Sequence, residues 1–279
     1  MTPVDHRPPC VLSIAGSDSG GGAGIQADLK AFARCGVHGM TAITALTAQN
    51  TVGVSGVHPV PPEFIVEQVR AVVTDIGVDA VKIGMLGSAA TVAGVAAALD
   101  LLEPGTPVVI DPVMVSESGA VLLDDDARAA LVEQLLPRAT VITPNLPEAR
   151  VLAGEWEGDA EELARALHAL GPQAVVVTGG HREQATDVLF DGAALHLIEG
   201  ERHPDGAAHG SGCTHSSALA AHLACGHPLL EAARAARAVA AAAVRDGLRG
   251  IGRGPGPVDV LGLTSAAGEP AYDPRVTRV

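Results

Sequence analysis

Aromatic side chains and lysine are scarce in this sequence. Phe, Trp and Tyr make up 2% of the 279 residues, so the chain offers few flat side chains on which nucleic-acid bases could stack. Lysine occurs only at positions 30 and 82, and 32 acidic residues against 18 Lys and Arg give a formal net charge of -14. Such a charge repels a phosphate backbone. These shortages argue against nucleic acid as a partner.

Cysteine is sparse and long apolar runs are missing. The four cysteines form no C-x-x-C pair, which predicts free thiols in a reducing cytoplasm rather than disulfides. No basic segment followed by a long apolar run opens the chain, and no run of about 18 apolar residues occurs in it. With 47% hydrophobic and 18% charged residues, we expect a globular, cytoplasmic protein that does not bind membranes.

Short apolar runs alternate with helical patterns, which predicts an α/β fold. The runs are apolar on both faces, as in parallel strands covered by helices, so we expect a doubly wound, mostly parallel sheet flanked by helices on both faces. The predicted strands are 11–15, 40–45, 80–83, 107–110, 140–143 and 174–178. The predicted helices are 25–34, 63–76, 89–102, 125–136, 147–153 and 160–170.

The last third of the chain has a different pattern. A hairpin, 186–190 and 193–198, is predicted around Asp191-Gly192, and two Ala-rich helices, about 213–225 and 228–247, follow it. From about residue 250 the Pro- and Gly-rich sequence predicts a loosely ordered tail. We expect one domain over residues 1–279.

The strongest local signal is Ala208-His209-Gly210-Ser211-Gly212-Cys213-Thr214, which leads into a helix of small residues. Its glycines let the N–H groups of Gly210, Ser211 and Gly212 turn inward where a helix dipole favours an anion, so we predict an anion hole. Cys213 lies at the helix start, where a thiol pKa is lowered, and is a candidate base. The alternative is a helix-capping loop with Cys213 as a packing residue.

A second glycine-rich segment, residues 15–28, follows the first strand. It contains Gly22-Ala-Gly-Ile-Gln-Ala27, which formally fits a dinucleotide-binding pattern. The acidic residue that would hold a ribose about 20 positions later is missing, since no Asp or Glu occurs from Leu29 through Pro62. Neither lysine follows a G-x-x-x-x-G pattern, which excludes a Walker loop. Nucleotide phosphates would have to be bound by backbone N–H groups and helix N-termini.

A zinc site is a further alternative, because His209, Cys213 and His215 lie within seven residues. Zinc ligands normally come as two pairs, and no second Cys or His pair is evident. We therefore do not expect zinc.

Seven motifs in order carry a family resemblance: AGSDSGGGAGIQADLK (15–30), TAQNT (47–51), VKIGML (81–86), DPVMV (111–115), TPNLPEA (143–149), VTGGH (177–181) and HGSGCT (209–214). Over about residues 11–245 the chain closely resembles the hydroxymethylpyrimidine/phosphomethylpyrimidine kinases of thiamine biosynthesis. The resemblance implies a ribokinase-like fold and an enzyme that uses MgATP twice. It would phosphorylate 4-amino-5-hydroxymethyl-2-methylpyrimidine first and then the monophosphate.

The resemblance also implies catalytic and substrate-binding residues. Cys213 takes the position that many ribokinase-like enzymes fill with a catalytic Asp, and its thiolate would accept the proton of the substrate hydroxyl. Gln49 would read the aminopyrimidine edge, since its amide both donates and accepts; alternatively it only caps a strand end. The resemblance implies four further pyrimidine contacts: Gly16, Asp28, Met85 and Val113. Alternatively, Asp28 is a solvated helix residue, and Met85 and Val113 are ordinary packing residues of the core.

For Mg²⁺ the resemblance implies Asp111 and Glu148. Asp111 ends an otherwise apolar strand, where the desolvation cost of a carboxylate favours a functional role. Glu148 could instead complement a helix dipole. The residues that the resemblance implies for nucleotide binding are Asn145, Thr178 and Gly180.

The sequence departs from the family pattern at Gly20, Ala120, Ala207 and Ala208, where polar residues are usual. These departures put the usual nucleotide and lid contacts in doubt. Two other functions stay open: a pyridoxal kinase of the same fold, and a non-catalytic nucleotide-binding regulator. The presence of Cys213 together with a carboxylate pair favours an enzyme. A homo-oligomer also stays open.

Overall fold

The computed structural model describes residues 7–115, 119, 122–179, 185–204 and 206–264. These residues form one sheet of nine strands: β1 Cys10–Ser17, β2 His38–Asn50, β3 Gly53–Pro59, β4 Ala80–Ile83, β5 Val108–Ile110, β6 Val141–Ile142, β7 Val175–Val177, β8 Asp187–Phe190 and β9 Leu195–Ile198. They also form eight α-helices: α1 Gly24–Arg34, α2 Pro62–Asp75, α3 Ala89–Leu99, α4 Asp125–Ala130, α5 Leu146–Leu152, α6 Ala160–His168, α7 Ser211–Ala224 and α8 Leu229–Arg245. None of these helices has the length and apolar character needed to cross a membrane.

The strand order is β3-β2-β1-β4-β5-β6-β7-β8-β9. Strands β1, β2 and β4 to β7 are parallel, whereas β3, β8 and β9 pair antiparallel to their neighbours. The chain moves outward from β1 to β2 on one side and from β1 to β4 on the other, so the sheet has a switch point between β1 and β4. Ligands of such sheets bind beyond the carboxyl ends of the strands at this point. The predicted doubly wound fold is confirmed.

Helices cover both faces because successive strand residues point to opposite sides. Leu12 and Ile14 of β1 belong to the core beneath α2 to α6, whereas Val11 belongs to the core beneath α1, α7 and α8. In β7, Val175 faces the first core and Val176 the second. This burial on both faces explains why the strands appeared as continuous apolar runs.

The structure corrects two predicted elements. The strand predicted at 40–45 continues to Asn50 and returns as β3, for which no strand was predicted. Strand β3 is an exposed edge strand containing Gly53, Gly56 and Pro59, so its hydrophobic pattern is weak. The helix predicted at 125–136 is α-helical only to Ala130 and then continues as a π-helical and a 3₁₀ turn.

The prediction of a loosely ordered tail from about residue 250 is wrong for residues 256–260. Val258 and Val260 are buried against Ala31 of α1 and Ala243 of α8. The N–H of Val258 donates to the carbonyl of His209 at 3.0 Å. Residues 256–260 therefore support the loop that precedes α7.

A buried ion pair joins the sheet to the helices on one face. The carboxylate of Asp28, on α1, accepts hydrogen bonds from Lys82 Nζ at 2.8 Å, Ser13 Oγ at 2.6 Å and Ser217 Oγ at 2.7 Å. These four side chains come from α1, β4, β1 and α7, and all four residues are fully buried. Their mutual pairing compensates for the desolvation of both charges.

Replacing Asp28 by Asn should therefore destabilise the fold strongly, by about 3–5 kcal/mol, because it leaves the Lys82 ammonium buried without a counter-charge. Urea unfolding measures the effect. The matched control is Arg70→Ala, which removes an exposed ion pair with Glu67 and should cost less than about 1 kcal/mol. Equal losses in the two variants would contradict the central role of the buried pair.

Candidate active site

A cavity of about 390 Å³ opens at the carboxyl ends of the parallel strands, beside the start of α7. It brings together most of the site residues predicted from the sequence, although these lie up to about 200 positions apart. Those that line it are Gly16, Gln49, Met85, Asp111, Val113, Asn145, Glu148, Thr178, Gly210, Ser211, Gly212 and Cys213. Asp28 does not line it, and Gly180 lies outside the described residues.

The carboxylate of Asp18 organises the first glycine loop. One oxygen accepts the N–H of Gly20 at 2.7 Å, and the other accepts those of Gly22 at 3.0 Å and Ala23 at 2.9 Å. The second oxygen also lies 3.2 Å from Nε2 of His209. Burial raises the pKa of Asp18, but His209 and the N–H donors outweigh it and hold the pKa below its ordinary value. Neither residue was predicted for this role; an Asp two positions before a glycine run is the signal that would have found Asp18.

The two glycine loops are in direct contact. Gly210, which caps α7, has a φ of 87°, a conformation that L side chains rarely adopt. A Cβ there would overlap the carbonyl oxygen of Gly22, and a Cβ on Gly22 would overlap the ring of His209. Both glycines are therefore required by packing.

The N–H groups at the start of α7 are not all free in the way predicted for an anion hole. The N–H of Ser211 donates to the carbonyl of Ala208 at 2.9 Å, so the prediction that it faces the phosphoryl group is wrong. Among the described residues, the N–H of the predicted donor Gly210 has no acceptor, and the N–H groups of Gly212 and Cys213 have none either. Gly212 and Cys213 lie in the first turn of α7, where the helix dipole adds to the attraction of their N–H groups for an anion.

The thiol of Cys213 does not have the lowered pKa predicted from its position. Burial raises it to about 12, and the carboxylates of Asp28 and Asp111 add to this, while Lys82 and the N–H of Gly24 oppose it. Desolvation is the largest cause of the raised pKa of this thiol. The thiol is protonated in this structure at neutral pH.

Gln49 lies at the end of β2, on the opposite side of the switch point from Asp111. The register between β2 and β3 shifts between Ala48 and Gln49, which redirects the side chain as a bulge does. Its Oε1 accepts from the Thr47 hydroxyl at 3.2 Å. Its amide NH₂ has no acceptor among the described residues, so it is available to a ligand.

Apolar contacts close this end of the cavity. The Cβ that Gly16 lacks would lie 3.2 Å from Cε of Met85, so the small residue at 16 lets Met85 sit across the end of β1. The carbonyl of Met85 accepts from the Thr44 hydroxyl at 2.7 Å, which fixes the backbone there. Together with Val113, Met85 gives a flat ring an apolar wall.

Asp111 and Glu148 form a buried pair of carboxylates. Oδ2 of Asp111 accepts from the Ser216 hydroxyl at 3.1 Å, and Glu148 forms a capping box with Asn145 at the start of α5. Burial, then the charge of Asp111, raises the pKa of Glu148 to about 8. Burial also raises the pKa of Asp111, although Lys82 opposes this.

This pair fits a divalent cation that keeps several waters. Two buried carboxylates whose pKa values are both raised form an environment that a positive charge relieves, and Mg²⁺ typically binds one or two carboxylates plus phosphate oxygens. The described residues contain no group of three or more His, Cys, Asp or Glu side chains arranged to hold a metal. The two carboxylates are oxygen ligands of the kind that Mg²⁺ accepts.

The predicted role of Asp28 as a pyrimidine contact is wrong. Asp28 is fully buried, and its carboxylate is occupied by Lys82, Ser13 and Ser217. It lies on the inner face of α1, beneath the cavity. A carboxylate one helical turn past a glycine loop cannot be assigned to ligand or core from the sequence, because that depends on which face of the helix meets the sheet.

Asn145 and Thr178 are neighbours at the ends of β6 and β7. The N–H of Thr178 donates to the carbonyl of Pro144 at 2.9 Å, and the Asn145 side chain accepts from the N–H of Glu148. Both residues line the cavity and follow strands on the opposite side of β1 from β2, which ends at Gln49. Beyond them lie Asp187 and Arg237, which carried no recognisable sequence motif.

A Glu148→Gln variant tests the strain in the carboxylate pair. The folded protein keeps a proton on Glu148 between its ordinary pKa of 4.5 and about 8, whereas the unfolded chain releases it. The free energy of unfolding should therefore fall as pH rises through this range. In the Glu148→Gln variant the free energy of unfolding should depend less on pH, and the variant should be more stable than wild type at about pH 8. Urea unfolding in metal-free buffer at both ends of the range measures this, and an unchanged slope would contradict it.

A Gly212→Ala variant separates the anion hole from the fold. A Cβ at Gly212 would meet only Oδ2 of Asp111, at 3.8 Å, so the packing does not require glycine there. Stability should stay equal or rise by about 0.5–1 kcal/mol, because Ala favours a helix. Kinase activity should fall about tenfold or more, because the methyl group lies where a phosphoryl group must approach. Gly210→Ala should instead destabilise the protein; similar thermal shifts in both variants would count against this distinction.

A family model described as phosphomethylpyrimidine kinase matches residues 18–259. The chain is 50% identical over 254 residues to the thiamine biosynthesis bifunctional protein ThiED of Geobacter sulfurreducens, covering 89% of this chain but only 51% of that protein, so it spans about half of it. It is 47% identical over 267 residues to the hydroxymethylpyrimidine/phosphomethylpyrimidine kinase of Mycobacterium bovis, covering 94% and 97% of the two chains. The crystal structure of an ADP complex of Bacillus subtilis pyridoxal kinase superposes with a TM-score of 0.82 at 41% identity, covering 90% of this chain and 97% of that one. The chain therefore belongs to the phosphomethylpyrimidine kinase family and is a kinase of the ribokinase-like fold.

Proposed function

We propose that this kinase phosphorylates the hydroxymethyl group of 4-amino-5-hydroxymethyl-2-methylpyrimidine and then the resulting monophosphate, with MgATP as donor. One observation supports this above others. The open N–H groups of Gly212 and Cys213, the carboxylate pair and the amide of Gln49 all line one cavity. A small heteroaromatic alcohol bound at Gln49 would present its hydroxyl toward the anion hole. Because four free cysteines persist only in a reducing environment, we place the reaction in the cytoplasm.

The pyrimidine is held by shape and by one polar edge. Gln49 donates through its free NH₂ to a ring nitrogen and accepts an amino hydrogen at Oε1. Met85 and Val113 cover the ring faces, and the absence of a side chain at Gly16 leaves room for Met85. The hydroxymethyl group then lies toward Cys213.

Charge on the transferred phosphoryl group is stabilised by the first turn of α7. The N–H groups of Gly212 and Cys213 donate to its oxygens as charge develops, without reorganisation. Asp111 and Glu148 would hold Mg²⁺, which when bound supplies positive charge against the phosphoryl oxygens. Asn145 and Thr178 would lie along the nucleotide.

Cys213 accepts the proton of the substrate hydroxyl. Three nearby charges act on its pKa: Asp28 and Asp111 raise it, and Lys82 lowers it. Asp28 and Lys82 form a close ion pair, so their opposite effects on the pKa of Cys213 largely cancel. Of the three charges, Asp111 therefore has the largest uncompensated effect on this pKa. Balancing the charge of Asp111 removes one of the causes that raise the pKa of the Cys213 thiol and so favours the thiolate, while burial stays the largest cause. The transition state of phosphoryl transfer is loose, so the proton need leave only as the new bond forms.

Cys213→Ala should fold normally and bind the pyrimidine, but turnover should fall by about 10²-fold or more, because the proton acceptor is lost. Since the base must be deprotonated, wild-type kcat should rise with pH above neutrality, and this dependence should vanish in Cys213→Ala. Cys213→Asp, which restores an acceptor, should recover part of the rate. Near-normal turnover in Cys213→Ala would exclude the base assignment.

The second phosphorylation is the harder step. Its nucleophile is a phosphate monoester with a charge of about -1.5 to -2 instead of a neutral alcohol. Lys82 is committed to Asp28, so the described site offers the second substrate mainly backbone N–H donors and the charge balanced at Asp111 and Glu148. We therefore expect both mono- and diphosphate products, the second formed more slowly and with a steeper Mg²⁺ dependence.

Mass spectrometry of products from the alcohol or the monophosphate with excess MgATP tests this. Diphosphate formed from the monophosphate would support both steps, and its complete absence would restrict the enzyme to one. Pyridoxal in parallel tests the activity named for the similar Bacillus subtilis enzyme. A higher kcat/KM for pyridoxal would overturn the proposed substrate, and no phosphorylation of either compound would favour a non-catalytic regulator.

A further inference from the structure

Two cysteines and two histidines lie together at the ends of α1 and α7 that point away from the cavity. Cys35 is the C-cap of α1 and Cys225 is the C-cap of α7. His222 lies in the last turn of α7, and His227 follows shortly after Cys225. None of these four residues lines the cavity, and none of the roles assigned above uses them.

The two helices end in the same way. Each C-cap cysteine is followed by a glycine in the left-handed conformation, Gly36 with a φ of 77° and Gly226 with a φ of 81°. The N–H groups of Cys35 and Cys225 donate to carbonyls of the preceding turn at 3.0 and 3.1 Å, which fixes the backbone of both residues. A Cβ on either glycine would meet no atom within 4 Å, so the space beside both cysteines is open.

The side chains meet across the interface between the two helices. Sγ of Cys35 lies 4.0 Å from Nε2 of His222. Cys225 comes three residues after His222, so the two side chains leave the same side of α7, with Cβ atoms about 5–6 Å apart. Burial raises the pKa of Cys35, Arg34 lowers it and Cys225 adds to the rise, so charge on the second thiol acts on the first. The two thiols are therefore neighbours.

His222 is suited to accept a proton from Cys35. Burial, then the charge of His227, lowers the pKa of His222, so its imidazole is neutral at neutral pH. The ring of His227 packs against it edge to face, with centroids 5.4 Å apart. A neutral imidazole whose Nε2 carries the lone pair can accept the S–H of Cys35.

The other two cysteines are separated from this pair. Cys213 lies in the first turn of α7, about 18 Å from Cys225 along the helix. Cys10 belongs to the core beneath α2 to α6, whereas Cys35 packs against the core on the opposite face of the sheet. Cys225 is exposed and Cys35 is half-buried, so a solvent oxidant meets Cys225 first.

We propose that Cys35 and Cys225 form a reversible disulfide in the presence of a peroxide, with His222 as the proton acceptor, and that this bond ties the end of α1 to the end of α7. The site is independent of the proposed substrate. A bond between residues so far apart in the sequence restricts the unfolded chain, so the oxidised protein should resist unfolding better than the reduced one.

The oxidation takes place in two steps. The thiolate of Cys225 attacks hydrogen peroxide and breaks the O–O bond, which gives a sulfenic acid and a hydroxide that takes up the proton released by the thiol. The sulfur of Cys35 then displaces the sulfenic hydroxyl, while the Cys35 proton passes to His222 and from there to the leaving hydroxide. The two thiols lose two electrons, and one peroxide becomes two waters. Burial raises the pKa of Cys225, so the first step should quicken as pH rises.

Peptide mass mapping of the full chain after treatment with hydrogen peroxide tests the bond. Trypsin leaves Cys35 in peptide 35–70 and Cys225 in peptide 203–234, and these peptides should be linked until dithiothreitol is added. Cys213 shares the second peptide, so fragment ions must assign the link to Cys225. Cys225→Ser should abolish the link, and the matched control Cys10→Ala should keep it. A link through Cys213 or Cys10, a link only between two chains, or no link would overturn the proposal.

Two further measurements test the roles of His222 and of the bond. His222→Gln should form the same disulfide about tenfold or more slowly at about pH 7, because the proton of Cys35 loses its acceptor; an unchanged rate would exclude that role. Oxidation should raise the urea midpoint of wild type but not that of Cys225→Ser, which also controls for oxidation of Cys213. Equal midpoints in oxidised and reduced wild type would contradict the tie between the helices. Under reducing conditions Cys225→Ser should keep wild-type kinase turnover, because Cys225 lies outside the cavity.

Discussion

The site depends on the contact between its two glycine loops. Asp18 accepts the N–H groups of the first loop and lies beside His209 of the second, and a side chain at Gly210 would overlap Gly22 while one at Gly22 would overlap His209. This contact sets the distance between the Gln49 end of the cavity, at the ends of β1 and β2, and the first turn of α7. Transfer of a phosphoryl group between two bound substrates requires that distance to be held closely. The buried segment 256–260 supports the same junction from outside through the carbonyl of His209.

Around this junction the protein maintains an electrostatic environment that is unfavourable without ligands. Glu148 retains a proton up to about pH 8 because it is buried beside Asp111, and the thiol of Cys213 is held protonated by burial and by neighbouring carboxylates. The charge of Asp28, in contrast, is compensated by its pairing with Lys82, which joins the sheet to the helices. Sites that must bind a dication and a polyphosphate are expected to carry such uncompensated charge, at a cost in stability.

Most of the fold was predictable because its signals are local. Parallel strands buried on both faces leave continuous apolar runs, and β1, β4, β5 and β7 were all predicted within one to two residues. Strand β3 was missed because an exposed edge strand with two glycines has no such run. The anion-binding loop was predictable because glycine conformation and helix start are sequence features, yet the bond from Ser211 to Ala208 that removes one donor was not.

The sequence by itself determined the fold class, the family and the approximate edge of the sheet at which chemistry occurs. Strand order and helix position depend on hydrophobic pattern, and chemistry-bearing residues follow the strands directly. Only the tertiary structure decided which side chains face the cavity and what charge they carry. Asp28 turned inward, the pKa of Cys213 rose instead of falling, and Asp187, His215 and Arg237 came together from three elements. The reason is physical: burial and proximity between distant residues control desolvation and Coulomb interactions, and neither can be read from local sequence.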